Sequence, residues 1–189
     1  YKGTTTVSVM SWTASFAKAK ELLSQGWILY VGSIFAVIYM KIDQVMLKWM
    51  VGAEEVGVYA VAAQLSEAWY FLPTAIVASF FPKLIKLHAA DAVRFNQRFQ
   101  QLFDVLFILA IAVAVLVTLV AGPLISLLFG AQYQNSAAIL TIHIWAGVFI
   151  FMRAAFSRWI LIEGALMFSL VTQGLGALAN IGLNALLIP

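Results

Sequence analysis

The sequence predicts an all-α polytopic membrane protein with five transmembrane helices, and three observations carry that prediction. Hydrophobic residues make up 63% of the chain and charged residues 10%, too few polar side chains to cover a compact surface in water. No Asp, Glu, Lys or Arg occurs from Val105 to Met152, an interval of 48 residues. The basic residues gather in alternate connections between apolar blocks. Such a composition excludes intrinsic disorder. The absence of Cys excludes disulfide frameworks and thiol chemistry, and the two distant histidines, His88 and His143, make no zinc motif. A net charge of +3 carries no nucleic-acid reading, because Lys and Arg form no continuous stripe.

The segment Ser11 to Gln25 places Trp12, Phe16, Ala19, Leu22 and Leu23 on a helical pattern, with Lys18, Lys20 and Glu21 elsewhere. It reads as an interfacial amphipathic helix on the cytoplasmic leaflet, within a lead-in of residues 1–26. The first span, 27–48, follows, with Lys41 and Asp43 near its far end. Gly52 to Glu55 forms a turn whose two acids favour the start of the next helix. That second span, 56–82, closes at Pro82.

One helix cannot use the whole uncharged interval, because a hydrocarbon core about 30 Å thick needs only about 20 residues. Gly122-Pro123 is expected to break it, and the polar run Gly130 to Ser136 supplies the connection. The third and fourth spans are therefore 102–121 and 137–160. The fifth, 165–188, is punctuated by Gly174, Gly176, Gly182, Asn180 and Asn184 and stops at Pro189.

Five crossings put Lys2, Lys18, Lys20, Lys83, Lys86, Arg94, Arg98, Arg153 and Arg158 on one side, which the positive-inside rule makes cytoplasmic. The opposite side has Lys48 and Lys41. No secretory signal pattern is present at Tyr1 to Thr6. The chain lacks an initiating Met and is bounded by hydrophobic helices, so it reads as a fragment of a larger transporter.

Ionisable groups at membrane depth cost about 2.5–3.5 kcal/mol on insertion scales and usually face a protein interior or a hydrated cavity. Glu67 lies near the middle of the second span, with Ala63, Tyr70 and Thr74 on its helical face. It can bind a coupling cation, exchange a proton, balance a basic residue or simply be hydrogen-bonded within the bundle. Lys41, Gln44 and Lys48 share one stripe of the first span, and Asp43 lies elsewhere on the circumference. The two lysines are candidates for attracting an anionic headgroup; snorkelling to the interface is the alternative, above all for Lys48. Arg153 and Arg158 read first as anchors of the cytoplasmic end, with contact to a lipid-linked phosphate as the other reading. His143 reads as a packing residue or a proton relay, and Asn180 with Asn184 as helix packing. No phosphate loop, catalytic carboxylate pair or activated nucleophile appears, so an enzyme, a metal site and a cofactor are not expected.

Several blocks resemble the Wzx-type O-antigen and polysaccharide flippases of the multidrug/oligosaccharidyl-lipid/polysaccharide exporter superfamily. They are Ile38 to Leu47 around Asp43-Gln44, Val56 to Tyr59, Ala62 to Pro73 with Leu65-Ser66-Glu67, Phe80-Phe81-Pro82, Leu127 to Gly130 and Asn180 to Asn184. The resemblance implies a dozen helices in two similar bundles, this chain supplying most of the second and a first bundle being absent from it. It implies a flippase of the bacterial inner membrane that moves undecaprenyl-pyrophosphate-linked oligosaccharide by alternating access, coupled to protons or sodium. Lys41, Gln44, Lys48 and Tyr70 would line the cavity, Asp43 and Glu67 would be its coupling carboxylates, and Arg153 and Arg158 would meet the headgroup. A cation-coupled drug antiporter or lipid II flippase of the same superfamily is the alternative, and a membrane-embedded glycosyltransferase or polymerase the second.

Overall fold

A computed structural model describes residues 15–188. Its elements are α1 (Phe16–Met50), α2 (Ala53–Glu67), a 3₁₀ turn (Ala68–Tyr70), α3 (Phe71–Ala90), α4 (Ala92–Phe129), a second 3₁₀ turn (Ala131–Tyr133), α5 (Ser136–Glu163) and α6 (Leu166–Leu187). With α2 and α3 joined as one kinked crossing, five segments are long and apolar enough to span a bilayer. The protein is an all-α, multi-pass membrane protein.

Four boundaries differ from the sequence reading by many residues, each for a backbone reason; the third crossing starts at Ala92 rather than 102, because Asp91 caps it by accepting from the Arg94 N–H at 3.0 Å. The amphipathic segment is no separate in-plane helix from Phe16 onward: it continues without a break into the first crossing as the 35-residue α1. Gly26 by itself costs a helix only about 1 kcal/mol, and Ser15 caps the start by accepting from the Lys18 N–H at 3.4 Å. Residues 1–14 of the expected lead-in lie outside the described residues. The second crossing runs past Pro82 to Ala90, and the third past Pro123 to Phe129. Each proline removes one backbone bond, which packed membrane helices tolerate. The third crossing turns instead at Gly130, whose φ of 90° suits glycine. There the polar loop folds back onto α4: Ser126 Oγ donates to Gln134 Oε1 at 2.6 Å, and a Cβ on Gly122 would lie 3.3 Å from Gln134 Nε2. Gly122 thus admits a close approach rather than ending the helix. A further irregularity, the 3₁₀ turn at Ala68–Tyr70, immediately precedes Phe71 and Pro73. Pro73 cannot donate to the Trp69 carbonyl, so the ladder tightens just after Glu67.

Helix α4 is the spine. With α2 and α5 it buries Val61, Ala62, Ala114, Val117, Ile125, Leu140 and Ile144 towards one end. With α3 and α5 it buries Val77, Leu84, Phe95, Leu106, Phe151 and Ala155 towards the other. Small residues are prominent at these contacts, as expected where hydrocarbon solvates the alternative and association depends on close packing. Helix α6 packs along α1, and this pair leans on α2 while touching α5 sparsely. Gly174 faces Phe35 and Gly176 faces Tyr39 across the pair. His88 meets Glu163 at 3.0 Å, and the Arg158 guanidinium lies 5.2 Å from the centre of the Phe81 ring. The end of α3 and the end of α5 therefore share one end of the bundle.

One buried hydroxyl locks α5 to α2. Ser136 is fully buried and its Oγ donates to the Val58 carbonyl at 2.7 Å. Ser136→Ala is expected to lower stability by about 1 kcal/mol, the worth of a typical intramolecular hydrogen bond, read as a lower unfolding midpoint in detergent. An unchanged midpoint would show that the bond contributes nothing net.

Candidate functional site

The polar side chains that matter come from three helices. Lys41 projects from α1 and Glu67 from the last residue of α2, and the Lys41 Nζ donates to both carboxylate oxygens, at 2.7 and 2.8 Å. A forked contact of this kind holds an ammonium against a carboxylate and offsets much of the cost that each charge carries in an apolar medium. Glu67 is 26% exposed and Lys41 47%, so the pair faces open space on one side rather than a sealed core.

Half a turn along α1, Asp43 has other company. The Tyr59 hydroxyl of α2 donates to Asp43 Oδ2, and the Tyr59 ring stands edge-on to the His143 imidazole of α5, with centroids 5.8 Å apart at 85°. Asp43 Oδ1 and His143 Nδ1 are buried, and neither has a hydrogen-bond partner among the described residues. The Ser66 hydroxyl, fully buried beside Glu67, also has none. Buried polar atoms normally find partners, so unpartnered ones mark positions where water, an ion or a proton can be accommodated. The arrangement is an ion pair next to an Asp–Tyr–His set, spanning α1, α2 and α5 inside an apolar bundle. Among the described residues no group of three or more His, Asp or Glu converges in the way a tightly ligated metal ion needs.

The other expected site residues are distributed differently. Gln44 is half-buried and Lys48 exposed in the last turn of α1, and neither makes a side-chain hydrogen bond or ion pair among those described. In this arrangement the Lys41 ammonium of the stripe is held by Glu67. Tyr70 lies on the 3₁₀ turn and packs on α5, where a Cβ on Gly147 would lie 3.7 Å from its ring. Thr74 is turned to its own helix and donates to the Tyr70 carbonyl at 3.0 Å. Arg153 donates to Gln173 Oε1 of α6 at 2.9 Å, whereas Arg158 faces α3 through Phe81. The two arginines address different helices. Asn184 donates to Asn180 at 2.8 Å within α6.

Tyr59 and Gln173 were not singled out as site residues from the sequence. Tyr59 stood only inside a resemblance block, and its partners lie on other helices, so no local spacing marks it. Gln173 is the sole amide within the otherwise uncharged fifth crossing other than its two asparagines, a signal that could have been read as a partner for a buried charge.

No curated protein and no solved structure matches the chain. A family described as polysaccharide biosynthesis protein matches residues 4–138. Since that match covers more than half of the 189 residues, the chain belongs to the polysaccharide biosynthesis protein family.

Proposed function

We propose that this chain forms five helices of a flippase that carries a lipid-linked oligosaccharide across the bacterial inner membrane for surface-polysaccharide biosynthesis. It acts as a transporter rather than an enzyme. The observation that supports the reading most is the Lys41–Glu67 pair with Asp43, Tyr59 and His143 beside it. A purely structural bundle gains nothing from assembling five ionisable or polar side chains at such cost, whereas a transporter needs a hydrated, switchable path.

The mechanism follows from what hydrocarbon rejects. A pyrophosphate and its sugars are strongly solvated and cannot cross lipid alone, while a polyprenyl tail is at home there. The headgroup therefore uses the polar face and the tail stays in lipid. In one arrangement Glu67 neutralises Lys41; in another an incoming anion competes with Glu67 for the same ammonium, which biases the helix packing. Asp43, partnered on one oxygen only, is placed to take a proton or sodium ion that drives the exchange.

The test is genetic and chemical together. In cells lacking the native transporter, the complete protein is expected to restore surface polysaccharide and to clear lipid-linked oligosaccharide from the cytoplasmic leaflet. Restoration of neither, with the protein present in the membrane, would overturn the reading.

A further inference from the structure

Between the α1/α6 pair and α5 lies a cavity of about 570 Å³, within the range of small-molecule sites. Its walls include Leu29, Ala36, Phe149, Phe156 and Leu166, so most of its surface is hydrocarbon. One cation reaches it. Arg153 contributes to the lining and is about ten residues, or 15 Å, short of the end of α5 at Glu163.

Like Arg98 on Gln101, and unlike the paired cations, this arginine is met by a neutral amide. Lys41 has a carboxylate, Arg94 has Asp91 at 3.2 Å, and Arg158 has an aromatic face. Among the described residues Arg153 has no carboxylate partner. It is held by a neutral amide, Gln173, which is itself fixed by donating to the Ser169 hydroxyl at 2.9 Å and the Ser169 carbonyl at 3.2 Å. A guanidinium carries five N–H donors. One is used on Gln173, so a held, uncompensated positive charge with donors to spare faces an apolar groove.

We propose that this groove binds one anionic phospholipid of the surrounding bilayer, its phosphate on Arg153 and an acyl chain along α1 and α5. Charge complementarity selects the phosphate, since a single guanidinium held between membrane helices attracts an anionic headgroup into an otherwise apolar groove. The acyl chain is suited by the apolar part of the lining, Leu29, Ala36, Phe149, Phe156 and Leu166. The hydroxyls of Ser33, Ser157 and Thr172 all donate to carbonyls of their own helices, so their donors are already used. The bound lipid acts as a wedge where α5 and α6 touch sparsely, holding the α1/α6 pair at its distance from α5. This site is independent of the Lys41–Glu67 set and of the transport reading.

Native mass spectrometry of the complete polypeptide in mild detergent tests it, with dioleoyl phosphatidylglycerol, dioleoyl phosphatidylcholine and inorganic phosphate as separate probes. Phosphatidylglycerol is expected to bind about tenfold tighter than phosphatidylcholine, and phosphate alone not measurably. Arg153→Gln is expected to remove that preference. Gly176→Phe, which fills the groove beside Tyr39 while sparing the guanidinium, is expected to weaken both lipids. Lys86→Gln, an exposed cation outside the groove, should change nothing. Equal binding of the two lipids to the wild type, equal phosphatidylglycerol binding by Arg153→Gln, or binding of phosphate as tight as that of the lipid would each overturn the proposal. If Arg153→Gln does not fold, Arg153→Lys and Gln173→Ala carry the test, each expected to reduce the preference, and an unreduced preference in both overturns it.

Discussion

In the complete protein, Glu67→Gln is expected to lower transport by about tenfold or more, because it strands the Lys41 ammonium. The Lys41 Nζ now touches both oxygens of that carboxylate. An unpaired charge at membrane depth costs about 2.5–3.5 kcal/mol, and about 1.4 kcal/mol is already a factor of ten in an equilibrium. The cost falls on whichever arrangement of the transporter buries the lysine, so the cycle stalls in another. Lys41→Ala strands the carboxylate instead and should do similar damage. The double variant Lys41→Met/Glu67→Gln separates stability from transport: with no unpaired charge it should reach the membrane in normal amount, yet fail to restore surface polysaccharide. The reversed pair, Lys41→Glu/Glu67→Lys, keeps an ion pair and should recover stability ahead of activity. Normal polysaccharide assembly by the double neutral variant would reduce the pair to a structural contact.

Asp43→Asn is expected to cause the second large loss, again about tenfold in transport rate, together with loss of response to an imposed ion gradient. One carboxylate oxygen is held by Tyr59 and the other is buried without a partner among the described residues, a geometry that suits a group whose ligand comes and goes. In vesicles, flux of a labelled lipid-linked oligosaccharide would be followed under a proton gradient and, separately, a sodium gradient. The wild type should respond to one of them and the Asp43→Asn variant to neither. Tyr59→Phe should produce a smaller loss of the same kind, since it leaves the carboxylate in place but removes its donor. Tyr30→Phe, on an exposed part of α1, makes the same chemical change without consequence. A gradient response in Asp43→Asn equal to that of the wild type would remove Asp43 from coupling.

Glu67 stood out by its depth alone, because a carboxylate amid Leu, Trp and Phe is costly in any fold. Its pairing did not: Lys41, itself a candidate, is 26 positions away on another helix, and its own spacing pointed to Gln44 and Lys48. His143 left two readings open, and it became part of a set only when α5 placed it edge-on to Tyr59. Arg153 and Arg158, five positions apart, looked like one basic end, yet the rotation of α5 sends them to α6 and α3. Pro82 and Pro123 misled in the opposite direction. Local rules end a helix at such positions in water, but in lipid an exposed break in the backbone costs more than one missing bond.

The number of crossings, their order and the end where basic charge collects were determined by the amino-acid sequence alone, because those depend on how each segment partitions between hydrocarbon and water, residue by residue. Which side chains meet was decided only by the tertiary packing. A contact between helices depends on the rotation and offset of both, and these are set by small residues such as Ala62, Ala114 and Gly147 at the seams, which carry no polar signal of their own. The pairing of Lys41 with Glu67 and the isolation of Arg153 beside Gln173 are products of that packing.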